Sequence, residues 1–148
     1  MKTIAGAAAL LALGAVGTAY AGPSEDEILR MFIPAEISLV KDGDEYSFQS
    51  DLAVPFYTFD DDEPGVSNCT GTCTETWWPV RAKKSDARAQ GAWTLIEREE
   101  GRPQWAYKGQ PIYYYLHDQA GTKAGDGIDY RMLFPGDGID GKWHVLKP

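Results

Sequence analysis

Few side chains in this sequence suit metal or redox chemistry: two histidines, His117 and His144, and two cysteines, Cys69 and Cys73. Outside the cytoplasm a close cysteine pair ordinarily becomes a disulfide, here closing a short loop over Thr70-Gly71-Thr72 worth only about 2 kcal/mol. Kept reduced and joined by His117 or His144, the same pair would resemble the thiol site of a copper-delivery protein. Both readings stand on spacing alone. His117 and His144 each follow an aromatic-rich run, and two converging neutral imidazoles could hold copper or zinc. Tyr113 and His117, four apart on one expected strand, could also present ligands to a haem iron. Covalent attachment of c-type haem is excluded, because no Cys-x-x-Cys-His run occurs. Asp60-Asp61-Asp62-Glu63 and two Gly-Asp-Gly-Ile-Asp turns, at 125–129 and 136–140, offer oxygen ligands for calcium, but neither follows the EF-hand pattern.

Catalytic signatures are lacking. The chain has no Gly-x-Ser-x-Gly elbow, no His-Glu-x-x-His and no phosphate loop. Its many acids single out no glycosidase pair, and a bridged cysteine is no nucleophile. Fourteen Lys and Arg stand against 22 Asp and Glu, a formal charge of −8, which opposes nucleic acid and anionic lipid as partners. The expectation is a non-enzymatic exported protein, a structural or binding module whose partner is an envelope component or a small ligand. A copper, zinc or haem carrier is one alternative. A carbohydrate-binding module is the other, since five Trp and eight Tyr could stack sugars.

The elements that must position these residues begin after an address segment. Lys2, the apolar run Ile4 to Val16 and Ala19-Tyr20-Ala21 read as a signal peptide over residues 1–21, too short for a comfortable span. Cleavage there leaves no transmembrane segment and implies a periplasmic or secreted protein. Residues 22–35 read as a helix and linker: Ser24 and Glu27 make a capping box, and Pro34 stops the helix near Phe32.

Beyond Pro34 the pattern is mainly β. Expected strands cover Glu36–Val40, Glu45–Gln49, Leu52–Phe59, Trp93–Glu97, Gln104–Tyr107, Pro111–Leu116 and Trp143–Leu146, with one helical turn over Thr74–Trp78. Asp42-Gly43 joins the first two as a hairpin, and Pro55 assigns the third to an edge or a bulge.

An internal repeat organises them. Pro55, Tyr57, Phe59 and Asp62 recur as Pro111, Tyr113, Tyr115 and Asp118 at an offset of 56, which also carries Gly65 to Gly121 and Gly71 to Gly127. Trp78-x-Val80 matches Trp143-x-Val145 at an offset of 65. The tyrosines and aromatics at alternate positions predict core-facing stripes, with Asp62 and Asp118 capping the following turns.

The Tyr-x-aromatic-x-x-Asp motif, the cysteine pair followed by Trp78-Pro79, and Gln104-Trp105-Ala106-Tyr107-Lys108-Gly109 together resemble the bacterial secreted-repeat lipoproteins. The resemblance implies an exported protein without an established biochemical activity. Two departures stand out: no lipid-attachment cysteine follows the leader, and the Gly-Asp-Gly turn before Trp143-His144-Val145 is duplicated around residues 130–135. The expected architecture is therefore one β-rich domain over 36–148 made of two related β units, about 52–80 and 108–146, preceded by one short helix. Tyr57, Phe59, Trp78, Trp105, Tyr107, Tyr113, Tyr115 and Trp143 should be largely buried.

Overall fold

The computed structural model describes residues 22–83, 87–98, 101–118 and 134–148. The expected signal peptide, residues 130–133 of the expected 130–135 insertion, Gly121, Gly127 and the first Gly-Asp-Gly-Ile-Asp turn lie outside them. Helix α1 spans Glu25–Met31, and both halves of the Ser24–Glu27 capping box form. It ends three residues before Pro34, where the ring of that proline would clash with a continuing turn.

The chain is mainly β, as its alternating apolar pattern requires. Strands β1 (Ile37–Asp42) and β2 (Glu45–Ser50) form an antiparallel hairpin. Its turn needs Gly43, whose φ is +60°. Strands β5 (Trp93–Arg98), β6 (Gly101–Tyr107) and β7 (Gln110–Pro111) make a three-stranded sheet. A third, four-stranded antiparallel sheet consists of β3 (Tyr57–Phe59), β4 (Trp77–Pro79), β8 (Tyr113–Tyr115) and β9 (Trp143–Val145), in the order β4-β8-β3-β9. The one-turn helix α2, Cys73–Thr76, leads into β4.

Strand β3 corrects the expectation for Leu52–Phe59. Only three residues join the strand, and they occupy the interior of the sheet, not an edge. Ahead of them Ser50 Oγ accepts the amides of Leu52 and Val54, and Ala53 takes a positive φ of 61°. A turn therefore consumes the first half of the segment, and Pro55, which has no amide hydrogen, stays ahead of the ladder.

The registers reveal how the two halves close. Tyr57 pairs with Tyr113 at the centre of the sheet; Trp143 pairs with Phe59, and Trp77 with Tyr115. Each half thus adds its last strand beside the motif strand of the other half. Matched hydrogen bonds repeat this around the motif. Phe56 N–H donates to Phe48 O, Leu146 N–H to Phe56 O and Phe48 N–H to Leu146 O; Ile112, Trp105 and Val80 form the equivalent triangle. The triangles set Trp105 opposite Phe48 in the symmetry, so the β1–β2 and β5–β6 hairpins also correspond.

Because side chains alternate along a strand, the central sheet divides two cores. Phe56, Val80, Ile112 and Leu146 face the hairpins and join Phe48, Trp93 and Trp105. Tyr57, Trp77, Tyr113, Trp143 and Val145 face the other way, over Cys69 and Phe134. Trp78 corrects a sequence expectation. It shares the first face, but on edge strand β4 that core has run out, and the residue is 50% exposed. The register makes Trp77 the partner of Trp143 in the symmetry, so the sequence match through Trp78 is one residue out of step.

Candidate functional site

The repeated motif converges on the second core. Tyr57 and Tyr113 are adjacent across β3 and β8 and completely buried, and each hydroxyl reaches the aspartate of the opposite repeat. Tyr113 donates to Asp62 Oδ2 at 2.7 Å, and Tyr57 donates to Asp118 Oδ1 at 3.1 Å. A motif that looks local in sequence is therefore a pair of reciprocal latches between halves.

The two latches differ. Asp62 Oδ1 also accepts the Asn68 amide at 2.6 Å, and the Tyr113 hydroxyl lies 2.7 Å from Ser67 Oγ. Burial raises the Asp62 carboxyl above its usual range, opposed by Tyr113, the amides of Asn68 and Cys69, and the charge of Arg98. Asp118 has less support. Its Oδ2 is buried without a hydrogen-bond partner among the described residues, and burial pushes the carboxyl up to about 7. Burial likewise holds both tyrosines well above the ordinary phenol range, so they act as donors and not as bases. The Tyr57 hydroxyl also accepts the Gly136 amide at 3.3 Å. An ideal Cβ on Gly136 would sit 2.9 Å from the Tyr57 ring, so the close approach of this turn requires glycine.

Cys69 and Cys73 are joined as a disulfide with a Cα–Cα distance of 5.3 Å. Arg98 fastens their loop, donating to Ser67 Oγ at 2.7 Å, Gln104 Oε1 at 2.9 Å and Cys69 O at 3.2 Å. The bridged state leaves no thiolate for copper or zinc.

Nor are the two histidines brought together. His144 lies on the hairpin-facing side of β9 and its ring meets Asp60 at 2.9 Å, about half exposed. His117 packs edge-on against Tyr115, whose ring belongs to the opposite face. Tyr113, the other candidate haem ligand, has its hydroxyl engaged by Asp62 and Ser67. The acidic run is likewise dispersed: Asp60 meets His144, Asp61 meets Lys142 at 2.5 Å, and Asp62 turns inward. No group of three or more His, Cys, Asp or Glu gathers at metal-binding distance among the described residues.

What the fold builds instead is a row of four rings. Trp77 and Trp143 stack nearly parallel at 3.7 Å between centroids, where the two halves meet. Phe59 stacks on the far face of Trp143 at 4.3 Å, and Tyr115 lies over the far face of Trp77 at 4.7 Å. The row borders a groove of about 570 Å³ that is completed by α2 and by the 3-10 turn Ile139–Gly141. Lys142 and Asp140, both exposed, stand at its rim. Phe59 and Tyr115 remain partly exposed because they end the row. Sequence reading found Phe59, Tyr115 and Trp143 but missed Trp77, Arg98 and Gly136. For Trp77 the available signal was the double tryptophan itself, since only one of two neighbours on a strand can face a given core.

A family model described as a secreted repeat of unknown function matches the chain twice, over residues 53–81 and 94–130. The chain carries two copies of that secreted repeat. The first match holds β3, the disulfide loop and β4, and the second holds most of β5 together with β6 to β8. No curated protein and no solved structure matches the chain. The repeat fits an exported protein, and among the described residues no helix is long and apolar enough to cross a membrane.

Proposed function

We propose that this secreted-repeat protein works in the cell envelope or beyond it as a non-enzymatic binding module, with the groove beside the four-ring row as its binding site. The observation that carries this is the groove itself. Its volume lies in the range of small-molecule sites, and it is walled by aromatic side chains with two charged groups at the mouth. The reciprocal latches and the disulfide loop hold those walls in place before any ligand arrives, which lowers the ordering cost of binding. A catalytic role has less support. The raised carboxyl of Asp118 is spent on the Tyr57 latch, and no nucleophile or activated base stands beside it among the described residues.

Metal carriage is disfavoured by the bridged cysteines and by the separate partners of the histidines, Tyr115 for His117 and Asp60 for His144. The test is an NMR screen of small fragments spanning aromatic, saccharide and aliphatic classes, read on the five indole N–H signals. At least one class at millimolar concentration should shift the Trp77 and Trp143 signals. If no class moves them, the groove is not a binding site and the module is purely structural.

A further inference from the structure

The way the four rings stack restricts what the groove can recognise. A sugar or a cation is held by the face of an aromatic ring, where the π cloud is negative. In this row the faces are consumed internally. Trp143 has Phe59 on one side, at 4.3 Å and 13°, and Trp77 on the other, at 3.7 Å and 2°. The second face of Trp77 is covered by Tyr115 at an interplanar angle of 32°. Both tryptophans nevertheless border the groove while being only 5% and 3% exposed. Tyr57 and Tyr113 pack edge-to-face against Trp77 and Trp143 at 5.5 and 5.2 Å from the sheet side, so what the pair presents to the groove is the remaining edge of each ring. The edge of an aromatic ring carries the positive end of its quadrupole, and two indole edges set side by side make a strip of weak positive potential.

The complement of such a strip is the negative face of another aromatic ring, approached edge to face. We infer that the groove takes a planar aromatic small molecule of two or three fused rings, lying with its π face against the edges of Trp77 and Trp143. Phe59 and Tyr115 bound the strip at its two ends, so the ligand lies along the row and does not insert into it. Ile139, half-buried against the same core, is its apolar neighbour. Lys142 and Asp140 offer polar groups at the mouth for a hydroxyl or acid substituent. Saccharides are disfavoured in this groove on the same ground, since neither Trp77 nor Trp143 has a face free to receive their C–H groups. The inference rests on the groove being a binding site, and it adds the chemical class.

The probe is 2-naphthol, compared with its saturated isostere decahydro-2-naphthol and with maltose, in calorimetric titrations of the full chain and by the indole NMR signals. 2-Naphthol should bind at least about fivefold more tightly than the saturated alcohol, the margin expected of one or two edge-to-face contacts. Ile139→Trp, which fills the groove, should weaken naphthol binding at least tenfold while leaving cooperative unfolding intact. Thr76→Phe closes the groove from α2 and serves the same purpose should Ile139→Trp not fold. Absence of naphthol binding, equal binding of the saturated alcohol, or naphthol binding untouched by both blocking variants would each overturn the inference. If naphthol fails while maltose or the saturated alcohol shifts the Trp77 and Trp143 signals, only the ligand class is wrong. If none of the probes and no fragment shifts them, the binding-module reading falls with it.

Discussion

Tyr113→Phe is the most direct test of the idea that the repeated motif latches one half of the molecule to the other. The substitution deletes one hydroxyl and leaves the ring. That hydroxyl is fully buried, donates to Asp62 at 2.7 Å and lies 2.7 Å from Ser67 Oγ. A hydrogen bond of this kind to a carboxylate contributes about 1.5–3 kcal/mol, and its loss leaves Asp62 with the Asn68 amide as its closest donor. A cost of about 2 kcal/mol is therefore expected, or roughly 6–10 °C in Tm for a chain of this size. Tyr57→Phe supplies the internal comparison. Its bond to Asp118 is longer, at 3.1 Å, and Asp118 is only half-buried. The expected loss is about 1 kcal/mol. Urea denaturation of the non-reduced protein, followed by tryptophan fluorescence, measures both. Combining Tyr113→Phe with Asp62→Asn should return a coupling of about 1 kcal/mol or more, although the residues lie 51 apart in sequence. A coupling near zero, or a larger cost for Tyr57→Phe than for Tyr113→Phe, would refute the latch as described.

The Asp118 carboxyl, raised by burial to about 7 from an ordinary 3.8, is protonated in the folded chain at pH values where the unfolded chain has released that proton. Stability from this group is full below about pH 4 and is lost as pH rises through about 7; urea midpoints from pH 4.5 to 8.5 should fall more steeply for the wild type than for Asp118→Asn, and identical slopes would count against it. Gly136→Ala forces a methyl group to 2.9 Å from the Tyr57 ring and should cost about 1–3 kcal/mol, so an unchanged thermal midpoint would show that the turn can move away. The neighbouring tryptophans should separate sharply. Trp77→Ala is expected to cost about 3–5 kcal/mol, whereas Trp78→Ser should cost about 1 kcal/mol or less, and comparable losses in denaturant melts would contradict the assigned strand register.

Local signals were the readable part of the site. Tyr57, Phe59, Tyr113 and Tyr115 could be placed on core-facing stripes because a strand forces alternate residues to one side, and the spacing alone carries that. The partners of those residues were not readable. Asp62 follows Tyr57 in the same motif, and an adjacent turn was the natural expectation for its carboxylate. One oxygen does accept the Asn68 amide in that turn, but the other crosses to Tyr113. The same limit separated Trp77 from Trp78. Pattern matching favoured the tryptophan followed two residues later by valine, whereas the pairing of β4 with β8 placed its predecessor on the shared face. His117 and His144 hold comparable places in the two repeats, yet His117 falls in the turn after β8 against Tyr115 whereas His144 lies within β9 and meets Asp60.

Amino-acid order by itself determined what depends on neighbours a few residues apart. It specified the capped helix, the Gly43 hairpin, the closely spaced cysteines, the predominance of strands and the existence of two related units. Each of these follows from backbone torsions, side-chain alternation or local hydrogen bonding. Only the tertiary structure decided how the units exchange their last strands, which aspartate each tyrosine meets, and that four aromatic rings would stack across the junction and spend their faces on one another. Those outcomes depend on contacts between residues some sixty positions apart, as between Tyr57 and Asp118. Their energies are gained only after the chain has paired its sheet, and no local pattern records which of several aromatic neighbours the register will select.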